Sequence, residues 1–330
     1  MMRGRIRSSV PAALAALFLG LTLAAPASGA ATASYPGPGL VTGDTSVHDP
    51  SMIRAPSGTY YLFGTGGGIG IRTSADRIKF TADGQVLPNG ATWAAAYAGS
   101  TNLWAPDISY HNGIYWLYYA VSSFGSNHSA IGLATSTTMN PGSWTDQGLV
   151  YSSQTTSNYN AIDPGLFADS SGRYWLSLGS FWSGIKMIQI NPATGKQLAS
   201  STALYSIAER PSPDAEEASY IYPHGGYYYL FVSFDYCCRG VSSTYRIMVG
   251  RSASPTGPYV DEGGTAMLSG GGTQILASHG NVIGPGGQTV MTDTDGSILV
   301  YHYYAANLNG TPELGINHLD WASNGWPYVA

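Results

Sequence analysis

The feature that most constrains the fold of this chain is a fivefold internal repeat. A glycine followed by a short aromatic-rich stretch recurs at intervals long enough for about four strands and their turns. The five copies are Gly58–Phe63, Gly113–Tyr118, Gly172–Ser177, Gly226–Phe231 and the looser Gly296–Tyr301. A unit of this kind cannot bury its apolar faces alone, so the copies must pack against one another.

A second segment precedes each aromatic stretch, and in four repeats it carries an acidic residue beside a small residue or proline. These four segments are Asp49–Ile53, Trp104–Ile108, Asp163–Phe167 and Glu217–Ile221, whereas the fifth, Gly284–Gln288, has no acid. Turn-forming residues rich in Gly, Asn, Ser and His separate the two segments of a repeat. The pattern predicts that each repeat contains a β-hairpin.

The rest of the chain also favours strands over helices. Long helical periodicity is absent, and short runs of Tyr, Val, Ile and Thr bounded by Gly, Pro, Asn and Ser continue to the last residues. We therefore predict an all-β fold, a single-domain five-bladed β-propeller over residues 31–330, whose innermost strands surround an axial channel.

This architecture would bring together acids that are far apart in sequence. If the acidic segments start the inner strands, Asp49, Asp163 and Glu217 meet at one mouth of the channel. Asp107 shares this blade position, and we expect it to support the structure or bind sugar rather than to react. Because Asp-Pro is a common turn dipeptide, Asp49 and Asp163 taken alone would be interpreted as turn residues.

Residues 1–30 have the pattern of a secretory signal peptide. Arginines between Arg3 and Arg7 precede an apolar run over residues 10–25, and small residues follow up to Ala30. Pro11 and Gly20 interrupt the run, which argues against a membrane anchor. We expect a secreted, extracellular protein that does not associate with membranes.

Charge and cysteine content narrow the function further. With 14 Lys and Arg against 19 Asp and Glu, the net charge of −5 argues against nucleic acid as a partner. The only cysteines, Cys237 and Cys238, are adjacent. They are either two buried thiols or a vicinal disulfide beside a cleft, and the sequence leaves both readings open.

Three carboxyl groups in one polar funnel suggest glycoside hydrolysis. That reaction needs one protonated carboxyl to donate to the leaving oxygen and one ionised carboxylate to act as base or nucleophile. A third carboxylate can separate their pKa values. No nucleophile elbow, phosphate-binding loop or dinucleotide fingerprint competes with this interpretation.

Several segments together resemble the arabinanases of glycoside hydrolase family 43. They are His48–Ser51, Trp104–Asp107, Ser122–Gly125, Asn160–Pro164, Gly179–Trp182, Glu217–Ser219, Cys237–Gly240, Gly315–Asn317 and Leu319–Trp321. The resemblance extends from about Gly43 to the last residues. It implies a five-bladed propeller that cleaves internal α-1,5-linked L-arabinofuranosyl bonds of arabinan with inversion of configuration.

The resemblance also implies roles for individual residues. Asp49 corresponds to the general base, Glu217 to the general acid, and Asp163 to the carboxylate that orients the acid and modulates its pKa. The substrate-binding residues it implies are Asp49, Phe124, Gly125, Asn160, Asp163, Ser180, Phe181 and Trp182. His302 matches a histidine near a metal ion, with calcium expected, or near an ordered water; alone it would be interpreted as a core histidine. We expect no organic cofactor, and we expect the protein to be a monomer.

Two other functions share this fold. An exo-acting α-L-arabinofuranosidase or β-xylosidase would close one end of the groove, whereas this chain stops just past the fifth repeat without an appended domain, which favours endo cleavage. A non-catalytic sugar-binding propeller is the other alternative.

The acid could be Glu216 or Glu217, because adjacent residues of a strand point to opposite faces. Asp49 and Asp163 each stand immediately before a Pro-Ser or Pro-Gly pair, and Glu217 stands in the same way before Ala218-Ser219. This comparison and the Glu-Ala pattern of the family both favour Glu217.

Overall fold

The aromatic-rich stretches form the second strand from the centre in five separate β-sheets. The segment before each stretch forms or leads into the innermost strand. The computed structural model describes Met1 and residues 34–330, so the predicted signal peptide lies outside the described residues except for Met1. In every sheet the innermost strand pairs antiparallel with the strand that follows it in the chain, which confirms the predicted hairpins.

The five sheets are numbered as blades I to V in chain order. Blade I contains β1 (Thr42–Gly43), β2 (Ser51–Arg54), β3 (Tyr60–Gly64), β4 (Gly70–Ser74) and β5 (Lys79–Gln85). Blade II contains β6 (Leu103–His111), β7 (Ile114–Val121), β8 (Ser129–Ser136) and β9 (Thr145–Ser153). Blade III contains β10 (Gly165–Ala168), β11 (Tyr174–Leu178), β12 (Ile185–Ile190) and β13 (Tyr205–Ala208).

Blade IV contains β14 (Glu216–His224), β15 (Tyr227–Phe234), β16 (Arg246–Ser252) and β17 (Thr273–Leu276). Blade V contains β18 (Val282–Asp293), β19 (Gly296–Ala305), β20 (Thr311–Trp321) and β21 (Pro327–Val329). The helices of the described residues are short: α1 (Ala95–Ala98) and the 3₁₀ turns Gly240–Ser242, Met267–Ser269 and Ala306–Leu308. In this part of the chain, no helix is long and apolar enough to cross a membrane.

The innermost strands of the five blades form a closed ring. β2 contacts β6, β6 contacts β10, β10 contacts β14, β14 contacts β18, and β18 contacts β2 again. Within blades II to V the strands follow one another in sequence order from the centre outwards. The predicted five-bladed propeller is therefore confirmed, with the inner strands around its axis.

The core consists of five apolar layers, one between each pair of neighbouring blades. Alternation along β15 shows how one strand serves two layers, because Leu230 and Val232 face blade III whereas Tyr229 and Phe231 face blade V. This is why the strands next to the innermost ones are mostly apolar and aromatic on both faces. The layer of blades V and I closes the ring.

The segment before β2 stabilises the contact between blades V and I through hydrogen bonds. The Leu314 N–H donates to the Thr45 carbonyl, and the Gly39 N–H donates to the Ile316 carbonyl. The Asn317 amide donates to the Gly37 carbonyl at 3.0 Å. The N-terminal part of the propeller thus hydrogen-bonds along β20 of the last blade.

One backbone irregularity recurs at the start of the inner strands and positions the acids. Equivalent residues with positive φ, between 43° and 58°, occur in all five blades: Asp49, Ala105, Asp163, Ala218 and Gly287. In β6, β14 and β18 the strand register shifts at this point. Asp49 and Asp163 are therefore equivalent, whereas Glu217 stands one residue before this position and Asp107 two residues after it.

This finding corrects the expectation that Asp107 and Glu217 share the position of Asp49. The comparison of acid-containing segments did not reveal the bulge, because the residue with positive φ is the acid itself at Asp49 but the following alanine, Ala218, in blade IV. The correction changes the alignment of the fourth blade by one residue. It leaves open which glutamate reaches the cleft, a question that only the side-chain positions answer.

Candidate active site

A cleft of about 700 Å³ is lined by residues from the starts of the inner strands and from the loops around them. Every catalytic and substrate-binding residue predicted from the sequence lines this cleft: Asp49, Phe124, Gly125, Asn160, Asp163, Ser180, Phe181, Trp182 and Glu217. His302 does not line it and is fully buried.

Asp49 is held as an ionised carboxylate by three neighbours. Its Oδ2 accepts a hydrogen bond from Thr65 Oγ1 at 2.6 Å and lies 2.9 Å from His48 Nδ1. Its Oδ1 lies 3.6 Å from Nδ1 of His302. Burial opposes ionisation, but His48, His302 and Thr65 outweigh it and hold the pKa of Asp49 well below the ordinary range of a carboxyl group. Such a group is available as a base at neutral pH.

Glu217 is buried and accepts hydrogen bonds on both carboxyl oxygens. Ser180 Oγ donates to Oε2 at 2.6 Å, and the Tyr245 hydroxyl donates to Oε1. Burial raises the pKa of Glu217, the charge of Asp49 adds to this effect, and the two hydrogen bonds oppose it. The balance favours a proton on this group at a higher pH than for an ordinary glutamate.

Asp163 interacts electrostatically with both Glu217 and Asp49. Its Oδ2 accepts a hydrogen bond from the Ala218 N–H at 2.8 Å, which ties blade III to the residue after Glu217. Burial and the charges of Glu217 and Asp49 raise the pKa of Asp163 well above the ordinary range. Because the repulsion between two carboxylates is reciprocal, Asp163 and Glu217 together retain a proton that neither would hold alone.

Glu216 and Asp107 lie outside the cleft lining. Glu216 is fully buried, and neither of its carboxyl oxygens has a hydrogen-bond partner among the described residues. Burial raises its pKa to about 8. Asp107 Oδ2 accepts a hydrogen bond from the Leu166 N–H at 2.7 Å, so it joins blades II and III. Strand alternation thus sends only Glu217 of the adjacent pair into the cleft.

Exposed aromatic rings and a buried amide complete the cleft. Phe124 and Trp182 line the cleft and are 83% and 38% exposed, so their rings are accessible to a bound sugar. Asn160 is buried, and its Oδ1 has no hydrogen-bond partner within the described part of the chain. Rings that can stack on sugar faces therefore lie beside an acceptor that a sugar hydroxyl could satisfy.

A narrow channel of about 30 Å³ lies on the propeller axis, lined by residues of all five inner strands. This volume holds about two water molecules. Gly287 lines it, and a Cβ atom built on this glycine would stand 2.6 Å from His302 Nδ1 and 2.7 Å from Asp49 Oδ1. The position therefore requires glycine, which lets the backbone approach the histidine and the base.

The residues around His302 fit a cation. Its Nε2 is buried without a partner among the described residues, and His48, Asp49 and His302 bring their ligand atoms within 4.8 Å of one another. Binding a cation at Nε2 would place the ring proton on Nδ1, which now accepts from the Asp49 N–H at 3.1 Å. Asp49 Oδ1 would then be the acceptor for that proton, as in other carboxylate–histidine–metal arrangements.

The structure adds residues that the sequence did not single out. Thr65 and His48 contact the Asp49 carboxylate, and the Tyr245 hydroxyl donates to Glu217. His48 and Trp104 lie within segments that carry the family resemblance, although the sequence assigned them no role. Tyr245 precedes β16 and carries no local signal. Cys237 and Cys238 form a disulfide and line the cleft, which answers the question that the sequence left open.

The chain is a five-bladed propeller whose cleft holds one buried and two half-buried carboxyl groups beside exposed aromatic rings. This is the construction of a carbohydrate-cleaving enzyme. The sequence matches the profile of Glycosyl hydrolases family 43 over residues 41–327. The chain belongs to this family, and it is a glycoside hydrolase.

Three similar proteins illustrate the relationship. The extracellular endo-α-(1→5)-L-arabinanase 1 of Bacillus subtilis (strain 168) is 50% identical over 288 residues, which cover 85% of this chain and 87% of that protein. The GH43 endo-arabinanase from Bacillus licheniformis has a TM-score of 0.83 at 48% identity, over 88% of this chain and 99% of that one. An exo-1,5-α-L-arabinanase from a bovine ruminal metagenomic library has a TM-score of 0.82 at 41% identity, over 87% and 98%.

Proposed function

We propose that this protein is a secreted endo-1,5-α-L-arabinanase that hydrolyses arabinan with inversion at the anomeric carbon. The observation that carries the proposal is the placement of Asp49, Asp163 and Glu217 in one cleft with opposite electrostatic settings for Asp49 and Glu217. The names of two similar proteins support the substrate and the endo mode, and one of them supports secretion.

In the proposed reaction, Asp49 takes a proton from a water molecule as the water oxygen attacks the anomeric carbon. Glu217 gives its proton to the glycosidic oxygen, and the bond between that oxygen and the anomeric carbon breaks. Asp163 orients Glu217 and keeps it protonated. The products are two shorter arabinan chains, and the enzyme regains its starting state when a proton passes from Asp49 to Glu217 through solvent.

The arrangement of the blades supports inversion. Inverting enzymes keep their two carboxyl groups roughly 6.5–9.5 Å apart, so that a water molecule fits between one of them and the sugar. Asp49 belongs to blade I and Glu217 to blade IV, and the inner strand of blade V contacts the inner strands of both. Blade V therefore separates Glu217 from Asp49 on this side of the ring, which agrees with the wider carboxyl spacing of inverting enzymes.

A cation near His302 is part of the proposal. His302 would hold it through Nε2, and ordered waters would supply oxygen ligands of the kind that calcium prefers. When bound, the cation adds positive charge beside Asp49 and so favours its ionised form. His48 and Thr65 orient this carboxylate through Oδ2.

Substrate contacts are assigned to the residues that line the cleft. We propose that Phe124 and Trp182 stack on sugar rings, and that the unpartnered Oδ1 of Asn160 accepts a hydrogen bond from a sugar hydroxyl. The remaining predicted contacts, Gly125, Ser180 and Phe181, lie in the same loops, and Ser180 also bonds the acid.

Chromatography of the products released over time from linear arabinan tests the proposal. An endo enzyme produces oligosaccharides of intermediate length first, whereas release of monomers or one fixed short product from the start identifies the exo mode. Absence of any product would contradict arabinan as the substrate. Arabinan with intact side branches serves as a comparison substrate.

Glu217→Gln and Glu216→Gln form a matched pair for the same assay. Loss of a general acid lowers kcat by roughly 10²–10⁴-fold, so we expect this loss for Glu217→Gln and nearly full activity for Glu216→Gln. The reverse result would mean that the wrong glutamate has been assigned to the acid.

A further inference from the structure

The disulfide between Cys237 and Cys238 stands next to the group that holds the base. Cys238 is exposed in the cleft, and its Sγ lies 3.7 Å from His48 Nε2. These are the only cysteines of the chain, so the bond does not belong to a wider disulfide framework. Its position beside the reaction centre calls for a role that general stabilisation of the fold does not explain.

A chain of hydrogen bonds leads from the disulfide to the base. The Cys238 N–H donates to the Tyr304 hydroxyl at 2.7 Å, this hydroxyl lies 2.9 Å from His48 Nε2, and His48 Nδ1 lies 2.9 Å from Asp49 Oδ2. An amide N–H can only donate, so the Tyr304 oxygen accepts there and its own proton is free for His48 Nε2. In this arrangement His48 Nδ1 carries a proton, which it donates to Asp49 Oδ2.

Two features limit the freedom of this chain. The His48 ring stacks on His302, with centroids 3.8 Å apart and planes at 27°, so it cannot turn without losing that contact. Cys238 has a φ of +67°, which residues other than glycine rarely adopt. The covalent bond between the two side chains restrains this backbone, and with it the direction of the Cys238 N–H.

We propose that the Cys237–Cys238 disulfide is a positioning element for the base: it fixes the Cys238 N–H, which through Tyr304 and His48 fixes the Asp49 carboxylate. None of the three relay residues reacts. The inference rests on the proposed function for the role of Asp49, but the hydrogen-bond chain itself can be tested without turnover.

Reduction of the purified protein with dithiothreitol is the first test. Thiol–disulfide exchange breaks the one S–S bond, leaves two cysteine thiols and converts the reagent to its cyclic disulfide. Misplacement of a catalytic group by about 1 Å can cost on the order of 100-fold. We expect kcat on linear arabinan to fall about 10- to 100-fold, with KM nearly unchanged and with the thiols counted to confirm reduction.

Two variants show whether the effect passes through the relay. The double variant C237S/C238S lacks the bond, so it should have the low kcat of the reduced protein and no response to dithiothreitol. Tyr304→Phe keeps the disulfide but lacks the hydroxyl, so it too should have a lower kcat and should lose little more on reduction. A triple variant should resemble Tyr304→Phe, since both changes interrupt one chain.

Three results would overturn the proposal. One is full activity of the protein after complete reduction. Another is a response of Tyr304→Phe to reduction that is as large as that of the unaltered protein, since the two effects would then be independent. A rise in KM alone would make the disulfide a sugar contact and not a positioning element.

If the untreated protein has no activity on arabinan, the proposed function fails, and imidazole ¹⁵N NMR then tests the relay alone. The His48 resonances, assigned with a His48→Gln variant, should show an Nδ1 proton in the oxidised protein and should change on reduction. Unchanged resonances would contradict the relay.

Discussion

Glu217 has neighbours that act on its proton in opposite directions. Burial and the nearby carboxylates favour the protonated form, whereas hydrogen bonds from Ser180 and Tyr245 favour the ionised form. An acid held between such forces keeps its proton to a higher pH than an ordinary glutamate and can still release it during the reaction. The pH dependence of the rate therefore reports on individual neighbours.

Replacing Asp163 by Asn should move the alkaline limb of the pH–rate profile to lower pH. The change removes a negative charge that makes Glu217 hard to deprotonate, so the pKa of Glu217 falls and the protonated acid is lost earlier as the pH rises. Measurement of kcat/KM from pH 4 to about 10 checks this. An alkaline limb that stays in place would reduce Asp163 to a turn residue that binds the Ala218 N–H.

Tyr245→Phe is the matched control for this measurement, because it should move the same limb in the opposite direction. The tyrosine hydroxyl stabilises the ionised carboxylate of Glu217, so its removal raises the pKa of the acid. Shifts of the same sign in both variants would point to a general loss of structure and not to electrostatics.

The three carboxyl groups of the cleft could be predicted from the sequence, whereas the residues that hydrogen-bond to them could not. Asp49, Asp163 and Glu217 stand in short motifs whose repetition marks them. Tyr245 reaches Glu217 only because β16 lies beside β15 in the folded blade, and no pattern in its own neighbourhood indicates this. Supporting contacts of this kind depend on tertiary packing, which a single sequence does not encode locally.

At the scale of strands and loops, the hairpin pattern was predicted but the bulge was not. The left-handed residue at the start of each inner strand is Asp49, Asp163, Ala105, Ala218 or Gly287, and these residue types share no property that a sequence pattern would reveal. The bulge decides which side chains face the cleft, because a shift of one residue reverses every side chain of a strand. This explains why Asp107 joins two blades while Glu217 faces the cleft.

The contact between the chain's ends is the element whose loss should weaken the fold without affecting catalysis. Asn317 of β20 is buried, accepts from the Tyr301 hydroxyl at 2.8 Å and donates to the Gly37 and Ala330 carbonyls. Asn317→Ala leaves these groups without their partner. We expect the free energy of unfolding to fall by about 1–3 kcal/mol, with kcat unchanged.

Urea unfolding followed by tryptophan fluorescence measures this change. Asn102→Ala, at an exposed loop position, is the control and should alter the free energy of unfolding by less than about 0.5 kcal/mol. Equal stability of the two variants would mean that the bonds of Asn317 do not hold the first and last blades together.

At the scale of the whole molecule, closure of the propeller is what creates the site. The three carboxyl groups come from blades I, III and IV, and only the ring formed by all five inner strands brings them to one cleft. The ring was predictable because the repeat fixes the number of blades and their order. The dimensions of the cleft could not be predicted, because they depend on loops such as the one that carries Phe124.

The central claim, that Asp49 and Glu217 act on opposite sides of the bond with a water molecule between base and sugar, is tested most directly by the configuration of the first product. Proton NMR of linear α-1,5-arabinan mixed with the enzyme, recorded before mutarotation, distinguishes the two anomers of the new reducing end. The account predicts that the β-anomer forms first. Initial formation of the α-anomer would show retention of configuration and would contradict it.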